Sequence, residues 1–136
     1  MRKEYDEQLC REFPNLYKNR FGSMAETCMC WGFDCDDGWF QLIYDLSKKL
    51  EAEILKQPEE GRQCFRASQV KEKFGGLRFY MDSQTDEMSG FIREAEDKSE
   101  ETCEVCGAPG KIRVHHRWYY CSCEEHEKGG LNEMEF

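Results

Sequence analysis

The sequence has no long apolar run, no leader-like start and very little histidine, and each absence closes off a class of function. No stretch approaches the roughly 20 apolar residues that a membrane-spanning helix needs. The opening residues, Met1-Arg2-Lys3-Glu4-Tyr5-Asp6-Glu7, carry no apolar segment of the secretory type, so the expected location is the cytoplasm. Histidine occurs 3 times and never in the first 114 positions, which leaves the early cysteines without a nearby histidine to activate a nucleophile. No Walker-type glycine loop, nucleophile elbow or dinucleotide fingerprint is present. There is no internal repeat and no low-complexity tract.

What the chain does have is charge, aromatic rings and cysteine. Its 136 residues suit one domain, or one domain with a small appendage. Hydrophobic residues make up 39% and charged residues 35%, so the core must be built economically. Aromatics reach 13%, and a few large rings can supply much of the buried area. The net charge of −9 makes duplex DNA a poor default partner, because phosphates are repelled. It favours solubility, or an encounter with a basic site on another protein. The 9 cysteines are an odd number and cannot all pair within a monomer. In a reducing compartment, clustered cysteines point to metal rather than to disulfides.

Periodicity sets the expected elements. Tyr5, Leu9 and Phe13 recur at helical spacing over residues 2–12, and Pro14 ends that helix. Residues 14–35 read as irregular. Trp39, Leu42, Ile43, Leu46, Leu50 and Ile54 place one apolar face on a long helix from about Asp37 to Gln57, capped by Asp36 or Asp37 and followed by Pro58. A hairpin follows, with strands Cys64–Lys71 and Leu77–Asp82. Leu77, Phe79 and Met81 share one face, and Gly75-Gly76 supplies the positive-φ return. Met88, Phe91, Ile92 and Ala95 mark a second helix over about Thr85–Glu101. The order of elements predicts an α+β fold. Its divisions are an α+β domain at 1–101, a zinc-binding module at 102–127 and a flexible tail at 128–136.

The module carries the chemistry. Cys103-Glu104-Val105-Cys106-Gly107 lets two thiolates converge on one ion, with Gly107 allowing a tight exit. Structural zinc takes four tetrahedral ligands, so a second pair is required. Cys123-Glu124-Glu125-His126 offers it. Cys121 is the rival to Cys123, because Cys121-Ser122-Cys123 sets two thiols close together. A filled site of three cysteines and one histidine leaves no open position for water. It is therefore structural, and the metal supplies much of the folding free energy. The module is expected to be of the zinc-ribbon or treble-clef kind.

Between the two pairs lies Lys111-Ile112-Arg113-Val114-His115-His116-Arg117-Trp118-Tyr119-Tyr120. Read as one extended strand, it sorts Lys111, Arg113, His115, Arg117 and Tyr119 onto one face, provided no turn interrupts it. That face is either a solvated strand face or a strip for single-stranded nucleic acid or an acidic partner. Cys28, Cys30 and Cys35, with Cys10 or Cys64, form a candidate second cluster. Their spacing is not a standard knuckle, and Trp31, Phe33, Trp39 and Phe40 beside them favour core packing. His115-His116 between cysteine pairs suggests a metal-dependent nuclease of the HNH type, but the insert and asparagine of that motif are missing.

Three stretches together carry a resemblance. They are Glu26-Thr27-Cys28-Met29-Cys30-Trp31-Gly32-Phe33 with Asp37-Gly38-Trp39-Phe40, then Val70-Lys71-Glu72-Lys73-Phe74-Gly75-Gly76-Leu77-Arg78-Phe79-Tyr80, then Cys103-Glu104-Val105-Cys106-Gly107. Over about residues 14–126 the chain resembles a group of small uncharacterised proteins of bacteria, prophages and phages. The resemblance implies that helix, hairpin and zinc module travel as one unit. It also implies the Cys-x-x-His ending at Cys123 and His126, and no set activity. The expected function is a zinc-stabilised, non-enzymatic interaction protein that binds and modulates a protein partner, a host defence factor included. A nucleic-acid-associated zinc finger is the alternative, and an HNH-like nuclease the more distant one. The expected cofactor is Zn2+, with no membrane association and an open oligomeric state.

Overall fold

The computed structural model describes residues 1–25 and 27–129, so the tail expected at 128–136 falls outside the described residues from position 130 onward. The fold is mixed α+β. In chain order the elements are α1 (Lys3–Glu12), β1 (Phe33–Asp34), α2 (Phe40–Lys56), β2 (Ala67–Lys73), β3 (Gly76–Met81), α3 (Asp86–Ser99), β4 (Lys111–His115) and β5 (Trp118–Ser122). Strands β1, β2 and β3 form one sheet, and β4 with β5 a second. No helix among the described residues is long and apolar enough to cross a membrane.

The long helix forms where the apolar spacing demands it. Trp39, Leu42, Ile43, Leu46, Leu50 and Ile54 are all buried. Each such side chain contributes roughly 1.5–3 kcal/mol when fully removed from water. The start of the helix differs from expectation. Asp37–Trp39 is a short 3₁₀ turn leading into α2, and neither Asp36 nor Asp37 caps through its side chain. The Asp37 carboxylate instead accepts from the Arg2 backbone N–H at 2.7 Å and from Arg2 Nε at 2.9 Å.

One buried position on α2 escapes the apolar pattern. Glu51 accepts hydrogen bonds from Asn15 N, Asn15 Nδ2 and Leu16 N. Its carboxylate satisfies backbone donors that the turn after Pro14 would otherwise bury unpaired. Tyr17 and Ser47 bond to each other beneath it. The irregular segment is thus held by a few polar anchors. Arg20 adds another, gripping Asp6 of α1 and the carbonyl of Cys30.

In the first sheet β1 runs parallel to β2, and β2 pairs antiparallel with β3. The expected strand from Cys64 begins later, because Arg62–Cys64 turns as a 3₁₀ segment. The return is also shifted by one residue. Pairing extends to Lys73 opposite Gly76, so the two loop residues are Phe74 and Gly75, with φ of +54° and +87°. Such two-residue loops need positive φ at both positions to match strand twist. Leu77 and Phe79 are buried as expected, and Met81 is half-buried.

Helix α3 is capped by Thr85, whose hydroxyl accepts from Met88 N. Met88, Ile92 and Ala95 are buried and Phe91 packs partly against the core. The polar end of α3 also has a structural task. Ser99 Oγ accepts from Leu77 N at 2.9 Å, and Glu96 Oε2 accepts from Phe79 N at 3.0 Å. These two donors lie on the side of β3 facing away from β2.

The early cysteines divide. Cys35 is buried, and burial pushes its thiol up to about 12, as a small core side chain should behave. Cys28 is exposed and Cys30 half-buried, while Met29 between them is fully buried. Trp31, expected in the core, is 68% exposed. The reason is local: Thr27 caps a single 3₁₀ turn over Cys28–Trp31, and in that turn Met29 alone points inward.

Candidate metal centre and its hairpin

After α3 the chain makes a knuckle, a hairpin and a second knuckle. Thr102 bridges to Pro109, and Cys103 N donates to Ala108 O at 2.8 Å. Gly107 N returns to Cys103 O at 2.9 Å, with Gly107 at φ +84°. This tight loop aims Cys103 and Cys106 at one point. Strands β4 and β5 then carry the chain out and back, and a 3₁₀ turn over Glu124–His126 brings up the second pair.

Cys103, Cys106, Cys123 and His126 place one ligand atom each within 4.8 Å of one another. Cys106 Sγ lies 3.7 Å from Cys123 Sγ, and His126 Nδ1 lies 3.7 Å from Cys103 Sγ and 3.2 Å from Cys123 Sγ. A tetrahedron with metal–sulfur bonds of about 2.3 Å has edges of about 3.8 Å, slightly less where a nitrogen replaces a sulfur. The four side chains can therefore hold a metal ion. Among the described residues no other group of three or more Cys, His, Asp or Glu side chains does so.

The local electrostatics suit a cation. Burial opposes ionisation of Cys103, but backbone N–H groups of Cys123, Cys106 and Val105 point at it, and the thiol is lowered to about 6. Cys123 is also lowered, its burial outweighed chiefly by His126. His126 is raised by its two thiol neighbours, Cys123 first. Thiolate is the form that binds metal, so the knuckle favours the ligating form of these cysteines.

Cys121 stands apart from this cluster. It is 1% exposed, belongs to the main apolar core and directs its thiol at Glu100 O, 3.3 Å away. Burial pushes it up to about 11. Along a strand next-but-one residues share a side, but β5 ends at Ser122, and the chain turns at Cys123 into the 3₁₀ segment over Glu124–His126. Cys121 faces the body from β5, whereas Cys123, just past the strand, turns to the metal cluster.

The module is joined to the body along a tight seam. Trp39 Nε1 donates to Thr102 O at 2.9 Å, and Gly38 N donates to Glu104 O at 2.6 Å. The Glu104 side chain accepts from Asp36 N. A Cβ on Gly38 would lie 2.3 Å from Cys103 O and 2.4 Å from Glu104 O, so only glycine fits there. Ile112 and Cys121 reach from the hairpin into the body's core.

The basic strip is not one face. A turn at His116-Arg117 splits the segment into β4 and β5, with His115 paired to Trp118. Cross-strand partners share a face, so Lys111, Arg113 and His115 lie with Ser122, Tyr120 and Trp118. Tyr119 falls on the other face, opposite Val114, and Arg117 is in the turn. Arg113 is engaged structurally, donating to Ser122 O and pairing with Glu127 at 3.4 Å. The His115 and His116 rings meet edge to face with centroids 4.0 Å apart, outside the Cys103, Cys106, Cys123 and His126 cluster. His116 and Arg117 both take positive φ, +49° and +69°. Residues without the usual asparagine or glycine in such a loop cost of order 1–3 kcal/mol each.

Comparison with known proteins adds no relative: no family model, no curated protein and no solved structure matches the chain.

Proposed function

We propose that the chain is a zinc-stapled, non-enzymatic interaction protein that acts by binding a protein partner. The observation that carries this reading is the donor set: one ligand atom from each of Cys103, Cys106, Cys123 and His126 lies within 4.8 Å of the others, and a tetrahedral ion held by all four would have no position left for a reacting water. Three sulfurs and one imidazole match zinc's preferences, and the order knuckle, hairpin, second knuckle supports a treble-clef-like description. The ion would then act as a staple. Held by Cys103, Cys106, Cys123 and His126, it fixes a hairpin that presents Val114, Trp118 and Tyr119 to solvent.

We also propose, on the resemblance read in the three sequence stretches, that the chain belongs with proteins of bacteria, prophages and phages and that the partner is a host factor, a defence factor among the candidates. Two measurements test it. Elemental analysis of the purified chain should give one zinc per molecule. Tagged protein should capture a defined protein from a bacterial lysate, and capture should fall when zinc is removed. A chain that retains no metal, or that recovers nucleic acid and no protein, overturns the proposal.

A further inference from the structure

We propose that the two adjacent hairpin tips, Phe74-Gly75 and His116-Arg117, form the docking surface for an acidic protein segment bearing an apolar anchor. This rests on the interaction reading above and names the surface and the chemistry of the partner.

Strain marks the place. Among the described residues, the non-glycine residues with positive φ are Phe74, His116 and Arg117. All three sit on these two tips, which belong to different sheets. Asparagine and glycine would relieve the backbone at each position. Bulky and cationic residues are found there instead, and unrelieved strain of this kind clusters at functional sites.

The tips also touch. The Phe74 and Tyr119 rings meet edge to face with centroids 6.4 Å apart. Beside them lies a cleft of about 400 Å³ lined by Glu72, Lys73, Phe74, Arg117, Trp118 and Tyr119. Phe74 is 67% exposed and Trp118 77%. Singly exposed rings are ordinary, but contiguous ones from two separate hairpins form a patch.

Charge selects the occupant. The chain carries −9 overall, yet no Asp or Glu occurs between Glu104 and Glu124. At the cleft Glu72 turns its carboxylate onto Gly75 N at 2.7 Å, while Lys73 and Arg117 border the opening. A carboxylate-bearing segment complements these cations, and an apolar side chain fills the space between the rings. A nucleic acid fits less well. Arg113 is already committed to Glu127 and Ser122, and the remaining surface repels a phosphate chain.

The test uses the full, zinc-loaded chain and a synthetic peptide of alternating Glu and Leu, followed by calorimetry and by shifts in amide NMR signals. Binding should perturb both tips, weaken with salt and be absent for the matched Lys and Leu peptide. Trp118→Ala should weaken it about tenfold with the melting temperature nearly unchanged. The double variant His116→Asn, Arg117→Gly should raise the melting temperature by a few degrees and weaken binding at least as much. Equal binding of both peptides, or relaxed tips that bind as well as the original, overturns the proposal. So does a self-associating chain whose association Trp118→Ala abolishes, since the occupant would then be a second copy. Tighter binding of an oligothymidine than of the acidic peptide overturns this inference and the protein-partner reading together. If the peptide fails, yet wild type and Trp118→Ala capture the same partner, only the docking surface is wrong.

Discussion

The body and the C-terminal module solve the same problem by different means. The body, α1 to α3 with the first sheet, encloses an apolar core around Trp39, Leu50, Ile54 and Leu77. The module has a two-stranded hairpin, two knuckles and little apolar interior of its own. Isolated hairpins are marginal in water. On the zinc-staple proposal its fold depends on the four ligands, and on Ile112 and Cys121 borrowing space in the body's core. The difference teaches that the two regions are unequal in what they can lose. On that proposal the body can surrender a contact and stay folded, whereas the module has one bond set on which the rest hangs.

Removing the metal should break the comparison open most widely. Structural zinc in small modules contributes about 10–16 kcal/mol of binding free energy at neutral pH. A strong chelator, or Cys103→Ser, should therefore abolish hydrogen-exchange protection across β4 and β5 while α2 stays protected. Equal loss in α2 would mean that the two regions fold only together. Gly38→Ala comes next, because its Cβ would collide with backbone of the first knuckle. It should cost at least the roughly 1–3 kcal/mol of an overpacked core, read from denaturant unfolding, and loosen zinc as well. An unchanged zinc affinity would show that the seam is not shared.

A smaller effect separates the two neighbouring thiols. Cys121→Ala should keep one zinc per chain and cost about 1–2 kcal/mol from lost packing. Cys123→Ala should lose the metal. The reverse result would exchange their roles. The smallest effect concerns Asp37. The Arg2 backbone N–H, opposed in part by burial and aided by the Arg2 side chain, holds its carboxyl below the ordinary value of 3.8. Its contribution is complete above that value and is lost as pH falls through the lower folded value. Asp37→Asn should thus reduce stability slightly near neutrality, with the difference from wild type shrinking as pH falls below 3.8. A difference that grows on acidification would contradict the pairing.

Much of the fold was legible because periodicity reports burial. The stripe from Trp39 to Ile54 and the Met88, Ile92, Ala95 stripe both point inward. The cluster of Cys103, Cys106, Cys123 and His126 was legible because a two-residue spacing is what lets a turn present two donors. What escaped was chemistry between distant residues. Glu51 reads as one more charge on a helix, and only the turn after Pro14 gives it a buried task. The turn at His116-Arg117 carries no glycine or asparagine to announce it, so the sequence leaves open whether the alternation runs through or folds back. The return at Phe74 was displaced for the same reason, since Gly75-Gly76 offered a more familiar pair.

One feature of the body reaches beyond the single molecule. Ser99 and Glu96 already occupy the outward N–H groups of Leu77 and Phe79 on β3. A strand from another chain arriving at that margin would find its donors taken, and would have to displace α3 to bind. The other margin, β1, is two residues long. The sheet is therefore closed to extension on one side and offers little template on the other. Crowded copies of this cysteine-rich chain gain from that closure a built-in resistance to joining strand to strand into fibres.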